Sequence, residues 1–262
     1  MAMSEAEADV ALHYQVRERT ATITMDDPAH GNALSIGMMG NLRDAFRAAR
    51  RNPEVDLVVL QANGRVFCAG ADAGWIGALV SGDAALWQAG MGALTGLLDD
   101  LHTLPKPVVA RVQGAVVGGG VAMLCLCDAV IAAREARWRL PEVRLGMVPT
   151  AVLPPLQGVV PTAFLRRLLY EDRAMDSAEA LDFGLATKVV DADALDRAVQ
   201  ERVEAWLALP AATLSETKGL LRAMDRARFQ RQVELARPHV ESAIHSADAR
   251  ERVGALLASQ SR

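Results

Sequence analysis

Apolar and polar residues change their period several times along this chain, and each change marks an expected element. Short runs rich in β-branched residues, "TATITM" from Thr20 and "VDLVVLQA" from Val55, read as strands. Between them, "LSIGMMGNLRDAFRAAR" from Leu34 has the spacing of an amphipathic helix opened by a Ser35 cap. The pattern then recurs. "GALVSGDAALWQAGMGALTGLLDDLHTL" from Gly77 reads as helix and "KPVVARVQGAVV" from Lys106 as strand; the glycines from Gly118 open another helix, and "DAVIAAREARWRL" from Asp128 is β-like again. This alternation predicts an α/β core. From Ala178 the period changes: helices are expected from about Ala192 to Leu209 and from Leu214 nearly to the end, making the C-terminal third all-helical. The Pro-rich "VPTAVLPPL" is too apolar for a solvated linker and reads as a buried loop lining something.

Composition narrows the class. With 51% hydrophobic residues in 262, the chain can build a sizeable core. A net charge of −4, with both signs mixed along the chain, offers no basic stripe for nucleic acid or an anionic membrane. Cys68, Cys125 and Cys127 make an odd count among small or apolar neighbours, as in a reduced, cytoplasmic protein. The start "MAMSEAEADV" lacks the basic flank and apolar stretch of a signal peptide, and no uncharged apolar run reaches membrane-spanning length, so a soluble protein is expected.

Candidate chemistry gathers at three places. Gly118, Gly119 and Gly120 interrupt a strand-to-helix transition, where bare backbone lets an anionic oxygen approach a helix N-terminus or lets the helix pack close to a sheet. The run is no dinucleotide fingerprint, because Met123 stands at the last glycine position, and no phosphate loop, because Val121 follows it. A second small-residue turn, "NGRVFCAGADAGW" from Asn63, follows another strand, so two strand ends offer main-chain amides that could converge on one oxygen. Glu142, in "RWRLPEVRLGMVP", is an acid in a largely apolar stretch. Burial there would raise its pKa into the range of general acid–base chemistry, whereas pairing with Arg139 or Arg144 would make it structural. The five histidines are scattered without ligand spacing, no paired-cysteine zinc signature exists, and no GxSxG elbow is present.

In order and wording, "FCAGAD" from Phe67, "GAVVGGGVAMLCLCD" from Gly114 and "LPEVRLGMVP" from Leu140 resemble the enoyl-CoA hydratase/isomerase (crotonase) superfamily, as do "NALS" from Asn32 and "AEALDFGLATKVV" from Ala178. The resemblance covers nearly the whole chain. It implies a spiral of ββα turns over residues 1–195, holding the active site, and a helical trimerisation region over 196–262. It further implies a homotrimer or a dimer of trimers, and an acyl-CoA or acyl-carrier-protein thioester bound without metal or redox cofactor, coenzyme A entering only as part of the substrate. The N–H groups of Ala71 and Gly119 would form an oxyanion hole, the Ala69 backbone would lie beside the CoA adenine, and Cys68, Asp72, Trp75, Gly118, Ala122 and Thr150 would help line the substrate site. Lys218 is a candidate phosphate contact by location.

One departure bears on the reaction. Typical hydratases of the family carry a glutamate two residues after the glycine run and a second in the "PE" element; here the first position is Ala122 and the second is Glu142. Alanine neither accepts a hydrogen bond nor exchanges a proton. Single-carboxylate isomerases of the family absorb that change. So does the branch of methylglutaconyl-CoA hydratases and related polyketide dehydratases, which "CAGADAGW" and the Pro-containing loop Thr150 to Leu156 resemble more. A branched or glutaconyl-type enoyl thioester is therefore the expected substrate, with isomerisation, decarboxylation or chemistry-free acyl-CoA binding as alternatives. RNA binding is a more distant one.

Overall fold

The computed structural model describes residues 12–171 and 173–260; the acidic start lies outside the described residues. The chain opens with a hairpin of β1 (Leu12–Arg17) and β2 (Thr20–Met25), followed by helix α1 (Ile36–Arg51). Three strand pairs come next: β3 (Leu57–Ala62) with β4 (Val66–Cys68), β5 (Val108–Val112) with β6 (Ala115–Val117), and β7 (Ala129–Ala133) with β8 (Arg137–Arg139). The first strand of each pair joins one sheet and the second joins another. With β9 (Met175–Asp176) and β10 (Lys188–Val190), this gives a six-stranded sheet ordered β1-β2-β3-β5-β7-β10 and a four-stranded sheet ordered β4-β6-β8-β9.

Helices follow the pairs and complete ββα turns. After β4 come α2 (Ala73–Ile76), α3 (Ala78–Ser81) and α4 (Ala84–His102); after β6 comes α5 (Gly119–Cys125). After β8 the chain runs through α6 (Leu153–Val159), α7 (Thr162–Tyr170) and α8 (Ser177–Asp182), and it ends in α9 (Leu195–Leu207), α10 (Ala211–His245) and α11 (Ala247–Gln260). The period-2 alternation of β3 places its residues on two faces. Val58 and Leu60 enter the main core, while Leu57 and Val59 pack with Val109 and Ile131 against Leu195, Val199 and Val203 of α9. Ala243, Ile244 and Val253, from α10 and α11, belong to the main core. No described helix is long and apolar enough to cross a membrane.

The Ser35 cap forms as expected, accepting from the Met38 amide at 3.0 Å. Several expectations are corrected. The segment from Lys106 is two strands in different sheets, divided where Gln113 donates to the carbonyls of Ala62 and Gly64 at 2.9 and 3.1 Å; that from Asp128 divides likewise at Arg134–Ala136. The helix expected from Gly77 breaks at Gly82, whose φ is +74°. The C-terminal third is not all helix, because β10 pairs in parallel with β7 over three residues, too few to display a period. The Pro-rich segment is only partly loop: α6 starts within it, with proline in the first turn, where no donor is needed. The hairpin leading from β1 turns at Glu18 and Arg19, both left-handed (φ 46° and 64°), without the Asn or Gly that marks such turns in a sequence.

Candidate active site

Three adjacent parallel strands deliver the site. β4 pairs with β6, and β6 with β8, all running the same way, so their carboxyl ends share one edge of the small sheet. Each then releases one candidate segment: Ala69–Gly70–Ala71 after β4, Gly118–Gly119 after β6, and Pro141–Glu142 after β8. Such edges are where open α/β sheets commonly bind ligands.

The turn after β4 is held from the side. Asn32 is fully buried with φ 53°; its Oδ1 accepts from the Asp27 amide at 2.8 Å, and its Nδ2 donates to the carbonyls of Asn63 and Val66 at 2.9 and 2.8 Å. Beside it, the Ala69 amide donates to Gly31 O at 2.9 Å and the Leu34 amide to Gly70 O at 2.7 Å. These bonds leave the Ala71 N–H with no acceptor among the described residues. The Gly119 N–H is likewise without one: it opens α5, before any intrahelical carbonyl can reach it.

The glycine run does two things here. Gly118 has φ +51°, its amide donates to Arg139 O at 2.9 Å, and a Cβ on it would stand 2.9 Å from Glu142 Oε1. The carboxylate thus occupies the space a side chain would take. Gly119 and Gly120 serve close packing instead, since a Cβ would meet Leu34 at 2.9 Å in the first case and Cys68 at 2.8 Å in the second. Close packing thus accounts for Gly119 and Gly120, and room for the carboxylate for Gly118.

Glu142 is half-buried as a residue, and its Oε2 is sealed from solvent without a hydrogen-bond partner among the described residues. No ion pair joins it to Arg139 or Arg144. Loss of hydration on burial pushes its carboxyl up to about 7, against a smaller opposing pull from its own amide. The turn that carries it is fixed by Leu145 N to Pro141 O (3.0 Å) and Met147 N to Glu142 O (2.8 Å). Such a group can remove and return a proton next to a carbonyl whose oxygen is held by main-chain amides.

A cavity of about 300 Å³ joins these parts. Of the residues singled out in the sequence, Ala69, Ala71, Trp75, Gly118, Gly119, Glu142 and Thr150 line it. Trp75 is fixed in the wall, its indole donating to Leu34 O at 2.7 Å and its ring 5.4 Å from that of Trp87. Three expected residues fall outside the lining. Cys68 turns toward Gly120, its thiol pushed up to about 12 by burial; Asp72 caps α2 by accepting from Gly74 N at 2.8 Å; and Ala122 is fully buried in the core. Lys218 is corrected outright: it is 6% exposed, pairs with Asp128 and donates to Lys106 O at 2.6 Å, so it does not face a phosphate.

The other wall escaped sequence reading. His239, Val240 and Ala243 of α10 and Leu256 and Leu257 of α11 line the same cavity. Nothing in the spacing of α10 shows which turn of so long a helix crosses a site built from segments far earlier in the chain. No group of three or more His, Cys, Asp or Glu side chains among the described residues is gathered to hold a metal ion.

Comparison with known proteins agrees with this geometry. The chain is 29% identical over 247 residues to the carnitinyl-CoA dehydratases of Citrobacter koseri and Proteus mirabilis, covering 92% of this chain and 93% of each relative. It superposes on an enoyl-CoA hydratase from Mycobacterium avium with TM-score 0.83 and 26% identity, over 96% of this chain and 97% of that one. An enoyl-CoA hydratase/isomerase from Pseudoalteromonas atlantica gives 0.81 and 26%, over 95% and 97%. With residues 15–258 matching the family as a whole, the chain belongs to the enoyl-CoA hydratase/isomerase family and has its crotonase fold.

Proposed function

We propose that the protein adds water to, or removes it from, an enoyl thioester through an enolate held by the Ala71 and Gly119 amides, with Glu142 carrying the α-proton. The observation that carries this reading is the placement of Glu142 Oε1 over Gly118, next to the unengaged Gly119 amide. A carboxyl near 7 can release and recover a proton at neutral pH. Each amide gains strength as charge grows on the thioester oxygen, which lowers the barrier more than it stabilises the ground state. Resemblance to carnitinyl-CoA dehydratases supports the dehydratase direction. The reading asks for no resident cofactor, places the protein in the cytoplasm, and takes a branched or glutaconyl-type acyl group on CoA or a carrier protein. Exposed Leu220, Leu221 and Met224 on α10 support an assembly of like chains through the C-terminal helices, as a trimer or a dimer of trimers.

A panel of crotonyl-CoA, methylglutaconyl-CoA, crotonobetainyl-CoA and their 3-hydroxy partners, followed by mass spectrometry, tests the reaction. Hydration adds 18 mass units, whereas isomerisation adds none. Glu142→Gln is expected to lower turnover by about 10²- to 10⁴-fold while leaving CoA-ester binding nearly intact. A variant that keeps most of its activity removes Glu142 from the mechanism. Double-bond isomerisation is the second reading, favoured by Ala122, because one carboxylate suffices to move a proton between two carbons.

A further inference from the structure

Water addition and removal move two protons, one at the α carbon and one at the β oxygen, and Glu142 accounts for one of them. Ala122 supplies nothing to the second and lies outside the cavity. The remaining polar side chains on the cavity wall can be taken in turn. Arg139 ends in a guanidinium, whose chemistry is that of a hydrogen-bond donor and not of a proton-exchanging acid. Thr150 offers a hydroxyl, a very weak acid. The indoles of Trp75 and Trp87 are donors only, and both already donate, to Leu34 O at 2.7 Å and Val240 O at 3.0 Å. That leaves His239. An imidazole both gives and takes protons near neutrality.

The turn bearing His239 is held in place. Trp87, from α4, grips the carbonyl of the next residue, Val240, and the Ser242 hydroxyl donates to the carbonyl of His239 at 2.6 Å. Pro238, just before it, has no amide to give the carbonyl four residues back, so the helix at this point depends more on such outside bonds. The ring itself makes no hydrogen bond or ion pair among the described residues, and His239 is exposed as well as lining the cavity, so it borders both the cavity and bulk water. The charged side chains that share the cavity with it are Glu142 and Arg139, both from the segment ending β8 and following it.

We propose that His239 is the second acid–base residue of this site, handling the β oxygen while Glu142 handles the α carbon; this rests on the hydratase/dehydratase reading above. In dehydration the Glu142 carboxylate takes the α-proton, and the C–H electron pair passes through the enolate to form the Cα=Cβ bond. The Cβ–O bond breaks with its pair on oxygen, which takes a proton from the His239 imidazolium and leaves as water. Glu142 ends protonated and His239 neutral; exchange with solvent resets both. Hydration runs the same steps backwards.

His239→Gln and His239→Ala, assayed beside wild type and Glu142→Gln on the thioester panel, test this. Turnover is expected to fall by about 10²- to 10⁴-fold, with melting temperature and CoA-ester affinity kept. The alkaline limb of kcat/KM for dehydration, which reports the acid that must be protonated, is expected to vanish, and added imidazole to restore part of the activity of His239→Ala. Variants within about threefold of wild type, while Glu142→Gln is inactive, overturn the role of His239 and leave the proposed function standing. Loss of melting temperature or affinity with the alkaline limb intact also overturns it, in favour of a structural role. If wild type turns over no member of the panel, or Glu142→Gln stays active, the functional reading itself falls and this inference with it.

Discussion

A carboxylate set where water reaches only part of it carries a cost in stability along with its chemistry. Burial places the Glu142 carboxyl at about 7 in the folded chain, above its value in the unfolded one. Between the two values the folded chain holds a proton that the unfolded chain has released. Stability is therefore full below about pH 4.5 and falls as pH rises through 7. Glu142→Gln carries no charge and escapes that loss. It is expected to melt with wild type at pH 4.5 and above it at pH 8, by at most about 3 kcal/mol, which calorimetry at the two pH values would measure. An equal effect at both would mean that packing, not charge, sets the difference. At this scale the sequence singled out an acid in an apolar run and glycines where a helix begins, while leaving open whether Glu142 pairs with an arginine and whether the glycines serve packing. It was illegible where a side chain's direction decides. Cys68 and Asp72 neighbour the site in sequence, yet one turns toward Gly120 and the other caps α2.

Elements were readable when long and periodic, as α1 and α4 are, and hidden when short. β6, β8, β9 and β10 hold two or three residues each, and they matter because β6 and β8 aim the site. A three-residue strand carries no period, and its membership in the second sheet is a long-range fact. The far wall was hidden for the same reason, since only packing reveals that α4 and α10 meet where Trp87 donates to Val240. That bond joins two residues 153 positions apart in the chain. Trp87→Phe keeps the ring and removes the donor. It is expected to cost about 1 kcal/mol and to lower protection of the α10 amides around Val240 by about fivefold in hydrogen exchange. Unchanged protection there would show that apolar packing alone seats this turn.

Across the whole molecule, α10 works as a strut fastened at two points: near its start to the sheets, and near its end to the cavity wall. The first fastening is Lys218, which is 6% exposed, pairs with Asp128 and donates to Lys106 O, while Asp128 also accepts from the Val108 amide at 2.7 Å where β5 begins. Four residues on, Arg222 donates to Leu104 O at 2.5 Å. A lysine that touched a substrate phosphate and a lysine that anchors this strut predict opposite outcomes for Lys218→Met. Loss of a phosphate contact would weaken CoA binding and spare the fold. Loss of the anchor removes the buried half of a pair whose other half, Asp128, is exposed, so the cost is about 2–4 kcal/mol, below that of a fully buried pair. The geometry requires the second outcome. Lys218→Met is expected to lose about 2–4 kcal/mol in urea unfolding and to bind free CoA with wild-type affinity at low temperature, where it stays folded. Calorimetric titration that found CoA affinity lost and stability kept would return Lys218 to the substrate and detach the strut from its base.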